Sequence, residues 1–204
     1  VILKKMENLV AELRKGYLGA FSGHFESANG KPFYVVDLIM FGLMDRNIGL
    51  LEALPPLFES ENIHALAPLL RVQLDGLLRL HAFRIVLNRD DLAMHVIKGG
   101  ELRKFKDNNG KLLTDRYLVT SLKEELPWVE SMYDTLCGWV HFSESHVFAA
   151  ASACDEEGKV TIGIGGFRQR IKPELFEEAR EATAAIHRAT IMIIDAYFAL
   201  AKSV

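Results

Sequence analysis

The apolar residues of the N-terminal part of the chain recur with the spacing of helices. In the first segment, the residues that fall every three or four positions are Leu3, Met6, Val10, Leu13, Tyr17 and Phe21. They share one face and predict a first helix that runs to about Glu26. The breaker cluster at 29–32 ends it. A second, strongly apolar helix is predicted from Val35 to Leu54, where Pro55 and Pro56 stop it.

The third predicted helix is apolar on almost every side. It spans about Ile63 to Leu87, and Asn62 is placed to cap its N-terminus. Pro68 indicates that the regular helix begins close to the proline. Because a helix that is apolar all round usually lies at the centre of a protein, Arg71 and Asp75 must find partners inside the protein or at a cleft.

The second half of the chain predicts further helices and one β element. Helices are predicted from about Asp90 to the glycines at 99–100, from Thr114 to about Leu126, from Pro127 through Val140, and from Pro173 to about Ala201.

The β element is predicted between 147 and 165. Val147, Phe148 and Ala149 precede an acidic turn at 155–158, and Val160, Ile162 and Ile164 follow it. This pattern is typical of a β-hairpin, which would lie on the helical body or pair with a copy in another subunit. The predicted fold class is therefore mainly α, a helical bundle with one small β-hairpin near residues 147–165, in a single helical domain over 1–204.

Composition and charge narrow the class of protein. Half of the 204 residues are hydrophobic and a quarter are charged, the balance of a globular protein. The net charge of -3 disfavours binding to nucleic acid or anionic membrane through bulk electrostatics alone. Charged residues from Arg71 to Arg84 interrupt the most apolar region, so no membrane association is predicted. Two cysteines, Cys137 and Cys154, do not form a disulfide framework, which predicts a reducing, cytoplasmic location.

The candidate chemistry lies on two helices. Tyr133, Cys137 and His141 are four residues apart and share a helical face, and Arg71 and Asp75 are also four apart. If the helices meet, an imidazole that transfers protons and an arginine that holds phosphate come together. These are the parts of a metal-independent phosphodiester-cleaving site. They are equally the parts of an inert buried polar network.

Weaker signals surround this constellation. Ser143 and His146 are predicted to bind ligand. His141 and His146, with His81 or Asp75, are a poor match to a zinc site because their spacing is not that of a helical pair, so no metal and no cofactor is predicted. Basic residues between Lys98 and Arg116 concentrate positive charge around the turn at 108–110, as a contact for a phosphate backbone or as an ordinary solvated loop.

The run from Tyr133 to Ser143 reads Tyr-x-x-Leu-Cys-x-x-Val-His-x-Ser. Together with Arg71, Asp75 and the Leu-Leu-Thr-Asp stretch at 112–115, it resembles an uncharacterised family of prokaryotic helical proteins related to the HEPN superfamily. The resemblance implies a helical bundle that forms a homodimer. It also implies that the protein binds or cleaves RNA or a nucleotide, without metal, in a defence or toxin-type system.

The resemblance implies a role for each catalytic candidate. Arg71 would hold phosphate, Asp75 would orient Arg71 or His141, Tyr133 would donate a hydrogen bond, and His141 would be the general acid or base. The typical nuclease motif has an arginine shortly before its histidine on the same helix, whereas positions 135–137 hold Thr, Leu and Cys. The alternative function is a non-catalytic dimeric interaction or ligand-binding module in which the buried polar residues are structural.

Overall fold

The computed structural model describes residues 1–27, 33–152, 161–162 and 172–201. Helices dominate them, so the mainly α class predicted from the sequence is confirmed. The helices are α1 (Ile2–Ser27), α2 (Val35–Glu52), α3 (Leu54–Glu59), α4 (Ile63–Ile85), α5 (Arg89–Ile97), α6 (Asp115–Leu122), α7 (Val129–Val140), α8 (Glu144–Ala150) and α9 (Pro173–Ala201). A short 3-10 turn at Leu102–Lys104 follows α5.

Helix α4 lies at the centre of the bundle, as its apolar composition predicts. It contacts α2, α3, α5, α6, α7 and α9. Its leucines Leu66, Leu74, Leu77 and Leu78 have no exposed surface. The largest of these packing contacts are with α9 and α7, and these two helices form the walls of the cavity described below.

The start of α4 and its cap agree with the prediction, but Pro68 does not mark the start of the regular helix. The helix begins at Ile63, where the Asn62 side chain accepts a hydrogen bond of 3.2 Å from the backbone N–H of Ala65. Pro68 lies inside the helix and not at its start. The missing proline N–H leaves one carbonyl near the helix start without its usual bond, and the cap together with the buried apolar face maintains the helix through this position.

The prolines at 55 and 56 begin a helix as well as ending one. The helix α2 ends at Glu52, two residues before the predicted boundary at Leu54. Pro55 and Pro56 then occupy the first turn of α3. A backbone N–H in the first turn has no partner within its helix, so proline removes no hydrogen bond there.

The β-hairpin is not supported as it was predicted. Val147, Phe148 and Ala149 were assigned to its first strand, but they belong to α8. The segment lacks alternating polar positions, is followed by alanines that favour helix, and has Glu144 in the first helical turn. Within the predicted hairpin, antiparallel pairing is described between Ala151–Ser152 and Thr161–Ile162. The other predicted hairpin residues, at 153–160 and 163–165, lie outside the described residues.

A buried polar group joins α1, α2 and α9. The Asn47 amide donates to the Tyr17 hydroxyl at 3.1 Å, and this hydroxyl lies 2.7 Å from Nδ1 of His187. Burial raises the pKa of Tyr17 and lowers the pKa of His187 to about 3. The histidine is therefore neutral, and a hydrogen bond joins its Nδ1 atom to the Tyr17 hydroxyl. From the sequence, Tyr17 was named only as part of the apolar face of the first helix, and Asn47 and His187 were not singled out.

Helix α9 combines 29 residues of length with an apolar composition. By length and composition alone, its segment Pro173–Leu200 could cross a membrane. Half of the relevant window, however, is buried inside the protein. A core helix can meet the same criteria. The lack of membrane association expected from the sequence therefore stays a prediction.

Candidate functional site

Two arginines and two aspartates form a compact ionic group on one side of α4. The Arg71 Nη2 atom lies 3.0 Å from Oδ2 of Asp115, and Arg79 Nη2 lies 2.6 Å from Oδ1 of the same carboxylate. Asp75 Oδ1 forms ion pairs with both arginines, at 2.7 Å from Arg79 Nη2 and 3.8 Å from Arg71 Nη1. Both guanidinium groups thus share two carboxylates, and Asp115 accepts a hydrogen bond from each of them.

Local structure explains the position of Asp115. It is the first residue of α6, and the Thr114 hydroxyl caps this helix by accepting from the Tyr117 N–H at 3.4 Å. A carboxylate in the first turn is stabilised by the helix dipole. Leu118 and Leu122 have no exposed surface and anchor α6 in the core. Helix α6 thereby contacts α4.

Helix α7 supplies the other side of this ionic group. The Arg71 guanidinium carbon lies 4.3 Å from the centre of the Tyr133 ring, and Arg71 Nε donates to Cys137 Sγ at 3.4 Å. The Tyr133 hydroxyl donates to Asp115 at 3.4 Å. We call the whole set the Arg71 cluster; its members are Arg71, Asp75, Arg79, Asp115, Tyr133 and Cys137. The structure therefore brings together three predicted catalytic residues, Arg71, Asp75 and Tyr133.

The Arg71 cluster is electrically balanced. Desolvation by burial raises the pKa of Asp115, but the adjacent Arg79 and Arg71 outweigh it and leave the pKa below its ordinary value. Burial lowers the pKa of Arg71, and hydrogen bonds with Cys137 and Tyr133 more than offset that effect. The Arg71 side chain is 12% exposed. Its edges face protein groups and its flat face covers Tyr133, so binding a phosphate would require the displacement of Asp115 or Asp75.

His141 is not part of the Arg71 cluster. It follows the last residue of α7 and has an extended backbone conformation (φ -96, ψ 141). Its backbone N–H still bonds to the Cys137 carbonyl at 3.0 Å, but its side chain is exposed. Within the described part of the chain, no hydrogen bond or ion pair joins this imidazole to Arg71. The helical spacing predicted a common face, but the side chain at the helix end turns to solvent.

Ser143 and His146, the predicted ligand-binding residues, form the junction between α7 and α8. The Ser143 hydroxyl donates to the Gly138 carbonyl at 2.6 Å, and its backbone N–H donates to His146 Nδ1 at 3.3 Å. The His146 ring stacks with His64, with centroids 5.7 Å apart, and meets Trp139 edge to face. Both residues therefore already have protein partners.

The basic loop is partly neutralised by neighbouring acids. Arg103 and Lys104 both pair with Glu101. Arg116 lies within ion-pair distance of Glu130 and Asp134. These contacts reduce the positive charge available to a phosphate backbone.

An apolar cavity of about 260 Å³ lies between α4, α7 and α9. The floor consists of buried apolar residues, namely Ile63, Ala67, Leu70, Leu136, Trp139 and Ala179. The partly exposed wall consists of Trp128, Met132, Leu175 and Ala182. The sequence contains two tryptophans, and both line this cavity. The periodicity of each helix places these residues on an inner face but does not show that the three faces leave a space.

The rim of the cavity is polar. Ser131, Thr135 and Glu178 are exposed lining residues. The Ser131 hydroxyl donates to the Trp128 carbonyl at 3.1 Å, which leaves its oxygen free to accept. Among the described lining residues, Glu178 is the only charged one, and it forms no ion pair with another described residue.

Two further findings bear on the class of this protein. In the described ranges, no group of three or more His, Cys, Asp or Glu residues is arranged to hold a metal ion. Comparison of the chain with protein-family models, curated proteins and solved structures found no match. The fold and site define a helical protein with a balanced ionic cluster beside an apolar cavity, and its function is inferred from that geometry.

Proposed function

We propose that this protein is a non-catalytic binding module that holds a small, mainly apolar molecule in the cavity between α4, α7 and α9. The observation that carries the proposal is the cavity itself, which combines a buried apolar floor with a few polar groups at its rim. This combination is typical of small-molecule sites.

The size of the cavity sets the size of the ligand. An engineered apolar cavity of about 150 Å³ is large enough for benzene. The volume here is about 260 Å³. It therefore accommodates one aromatic ring with a short chain, and its opening at the rim leaves a polar end of the ligand in water.

The Arg71 cluster has a structural role in this proposal. It links α4 to α6 through Asp115 and to α7 through Tyr133 and Cys137. Because α4 and α7 are two walls of the cavity, these bonds fix the separation of the walls. Removal of one partner leaves a half-buried charge unpaired, which is far more unfavourable than the loss of an exposed ion pair.

Tryptophan fluorescence provides the test. Titration with phenylbutanol, a neutral ligand of suitable size, is expected to shift the emission saturably at ligand concentrations below about one millimolar. In Ala182→Phe, the new ring fills the cavity and abolishes this response. Ala196→Phe, an exposed substitution on the same helix that does not line the cavity, is the matched control and keeps the response.

Two outcomes would contradict the proposal. One is no saturable change in the wild-type protein, and the other is equal binding by wild type and Ala182→Phe. Circular dichroism spectra of both variants establish that the helices are retained, so that a lost response reports on the cavity.

A second candidate function is the binding or metal-independent cleavage of RNA or a nucleotide. It is favoured by the gathering of Arg71, Asp75 and Tyr133, with His141 at the adjacent end of α7. The test is incubation of purified protein with RNA in the presence of a metal chelator, beside His141→Ala. Cleavage by the wild type and none by the variant would support it. Equal cleavage, or none by either protein, would refute the nuclease.

The homodimer and the cytoplasmic location remain predictions. The hairpin that was expected to build the dimer is not supported as predicted, so the dimer now depends on the family resemblance. Sedimentation equilibrium of the purified chain would give either a single monomer mass or a concentration-dependent dimer.

A further inference from the structure

We infer that the ligand of the cavity carries a positive charge, as an ammonium group attached to an aromatic or aliphatic body. This inference rests on the proposed function. It follows from the juxtaposition of Glu178, a carboxylate that pairs with no other described residue, with two indole rings at the same cavity.

The charge at the rim has one sign. Glu178 is the only charged side chain among the described lining residues, and it is exposed. Arg180, the nearest basic residue along α9, pairs with Glu177 at 2.6 Å and approaches Glu181 at 3.7 Å. The neighbouring cation is thus already balanced, and the one charge among the described lining residues is negative.

The other lining groups fit an ammonium as well. Trp128 in the wall and Trp139 in the floor are indoles, which attract cations through the electron-rich faces of their rings. The hydroxyl oxygens of Ser131 and Thr135 can accept hydrogen bonds from an N–H donor. A ligand with an apolar body in the floor and an ammonium at the rim therefore satisfies both parts of the site.

A ligand of the opposite charge fits poorly. A carboxylate or phosphate would face Glu178, and none of the lining residues that the structure describes is a cation to receive it. Binding of a neutral ligand is favoured by burial of its apolar body, but such a ligand forms no ion pair with the Glu178 carboxylate. The order of affinity is therefore expected to be cation, then neutral molecule, then anion.

Three ligands of nearly equal size test this order. They are phenylbutylammonium, phenylbutanol and phenylbutanoate, titrated at low salt with tryptophan fluorescence as the readout. Binding of the ammonium is expected to be about tenfold tighter than binding of the carboxylate, and the difference shrinks as salt screens the charges.

The Glu178→Gln variant isolates the local charge. It is expected to weaken phenylbutylammonium binding by about three- to fivefold and to leave phenylbutanol unchanged, as for an exposed ion pair. Glu174→Gln removes an exposed acid one turn earlier on α9 that does not line the cavity, and it should have the smaller effect.

The outcomes separate the two proposals. If all three ligands bind with similar affinity, or if both glutamine variants behave alike, the inferred charge is wrong while the binding function stands. If none of the three ligands gives a saturable response, the proposed function fails first.

Discussion

Arg71 shows how the partners of a residue decide between a catalytic and a structural role. The sequence placed it on a buried helix with an acid four residues later, which suits either an anion site or an internal ion pair. In the structure its guanidinium faces Asp115, Cys137 and the Tyr133 ring. An arginine with these contacts stabilises the packing of α4 against α6 and α7. It can bind a phosphate only if Asp115 or Asp75 is displaced.

The shared carboxylate of the Arg71 cluster gives the first prediction. Asp115→Asn keeps the shape of the side chain but leaves Arg71 and Arg79 with one shared carboxylate, Asp75, in place of two. We expect the free energy of unfolding to fall by about 2 kcal/mol, since the cluster is only partly buried. Urea denaturation at neutral pH measures the change. Asp134→Asn, which removes an exposed partner of Arg116, is the control and should alter stability by less than about 0.5 kcal/mol.

The buried histidines give a prediction on pH dependence. The pKa of His187 is lowered from its ordinary value of 6.5 to about 3 by burial. The pKa of His81 is lowered to about 4 by burial and by Arg84. When the pH falls below about 6.5, the unfolded chain takes up these protons first, so stability falls as the pH is lowered toward 4. Within this window, each histidine lowers the free energy of unfolding by about 1.4 kcal/mol for each unit by which the pH falls.

Urea denaturation over this pH range, compared between variants, checks the assignment. His187→Gln keeps a side chain that can hydrogen-bond to the Tyr17 hydroxyl. The free energy of unfolding of this variant should depend less steeply on pH, because one histidine no longer takes up a proton on unfolding. His141→Gln changes an exposed side chain and should keep the wild-type slope. Equal slopes for all three proteins would show that His187 is not buried in its neutral form.

The residues of the Arg71 cluster were only partly predictable. Helical spacing correctly placed Tyr133 and Cys137 on one face and paired Arg71 with Asp75. The same spacing also relates Asp75 to Arg79, so Arg79 could have been found by that rule. Asp115 could not, because its position depends on how α6 docks on α4. His141 was placed on the shared face although the helix ends one residue before it.

At the scale of elements, caps and breakers explain most helix boundaries. Asn62, Asn88 and Thr114 each accept a backbone hydrogen bond at the start of a helix. Asn62 and Thr114 were recognised from the sequence, the first as a cap and the second as the start of a helix, because such signals are local. The hairpin was not supported as predicted, since a short run of valine, phenylalanine and alanine suits a strand or a helix and only its surroundings decide.

The cap of α6 gives a prediction at this scale. Thr114→Ala removes the hydroxyl that accepts from the Tyr117 N–H, and α6 presents Asp115 to both arginines. We expect a loss of about 1 kcal/mol in the free energy of unfolding. Thr120→Ala removes a hydroxyl that bonds only to the Arg116 carbonyl within the same helix, and it should have a much smaller effect. Equal losses, measured by thermal denaturation, would mean that the cap does not hold α6.

At the scale of the molecule, the cavity arises from the way three helices meet. Each inner face was predictable from its apolar spacing, and α4 was correctly predicted to be central. The space between α4, α7 and α9 was not, because it depends on the angles and distances between helices. Its polar rim and both tryptophans nevertheless lie on elements whose helical character is evident from the sequence.

The two tryptophans make the cavity directly observable. Each indole N–H gives its own signal in a nitrogen-proton correlation spectrum, and Trp139→Phe assigns the pair. If the cavity binds phenylbutanol, both indole signals shift along saturation curves with the same Kd, and neither shifts in Ala182→Phe. Indole signals that stay unchanged up to the solubility limit of phenylbutanol, or that move equally in Ala182→Phe, would contradict a binding site between α4, α7 and α9.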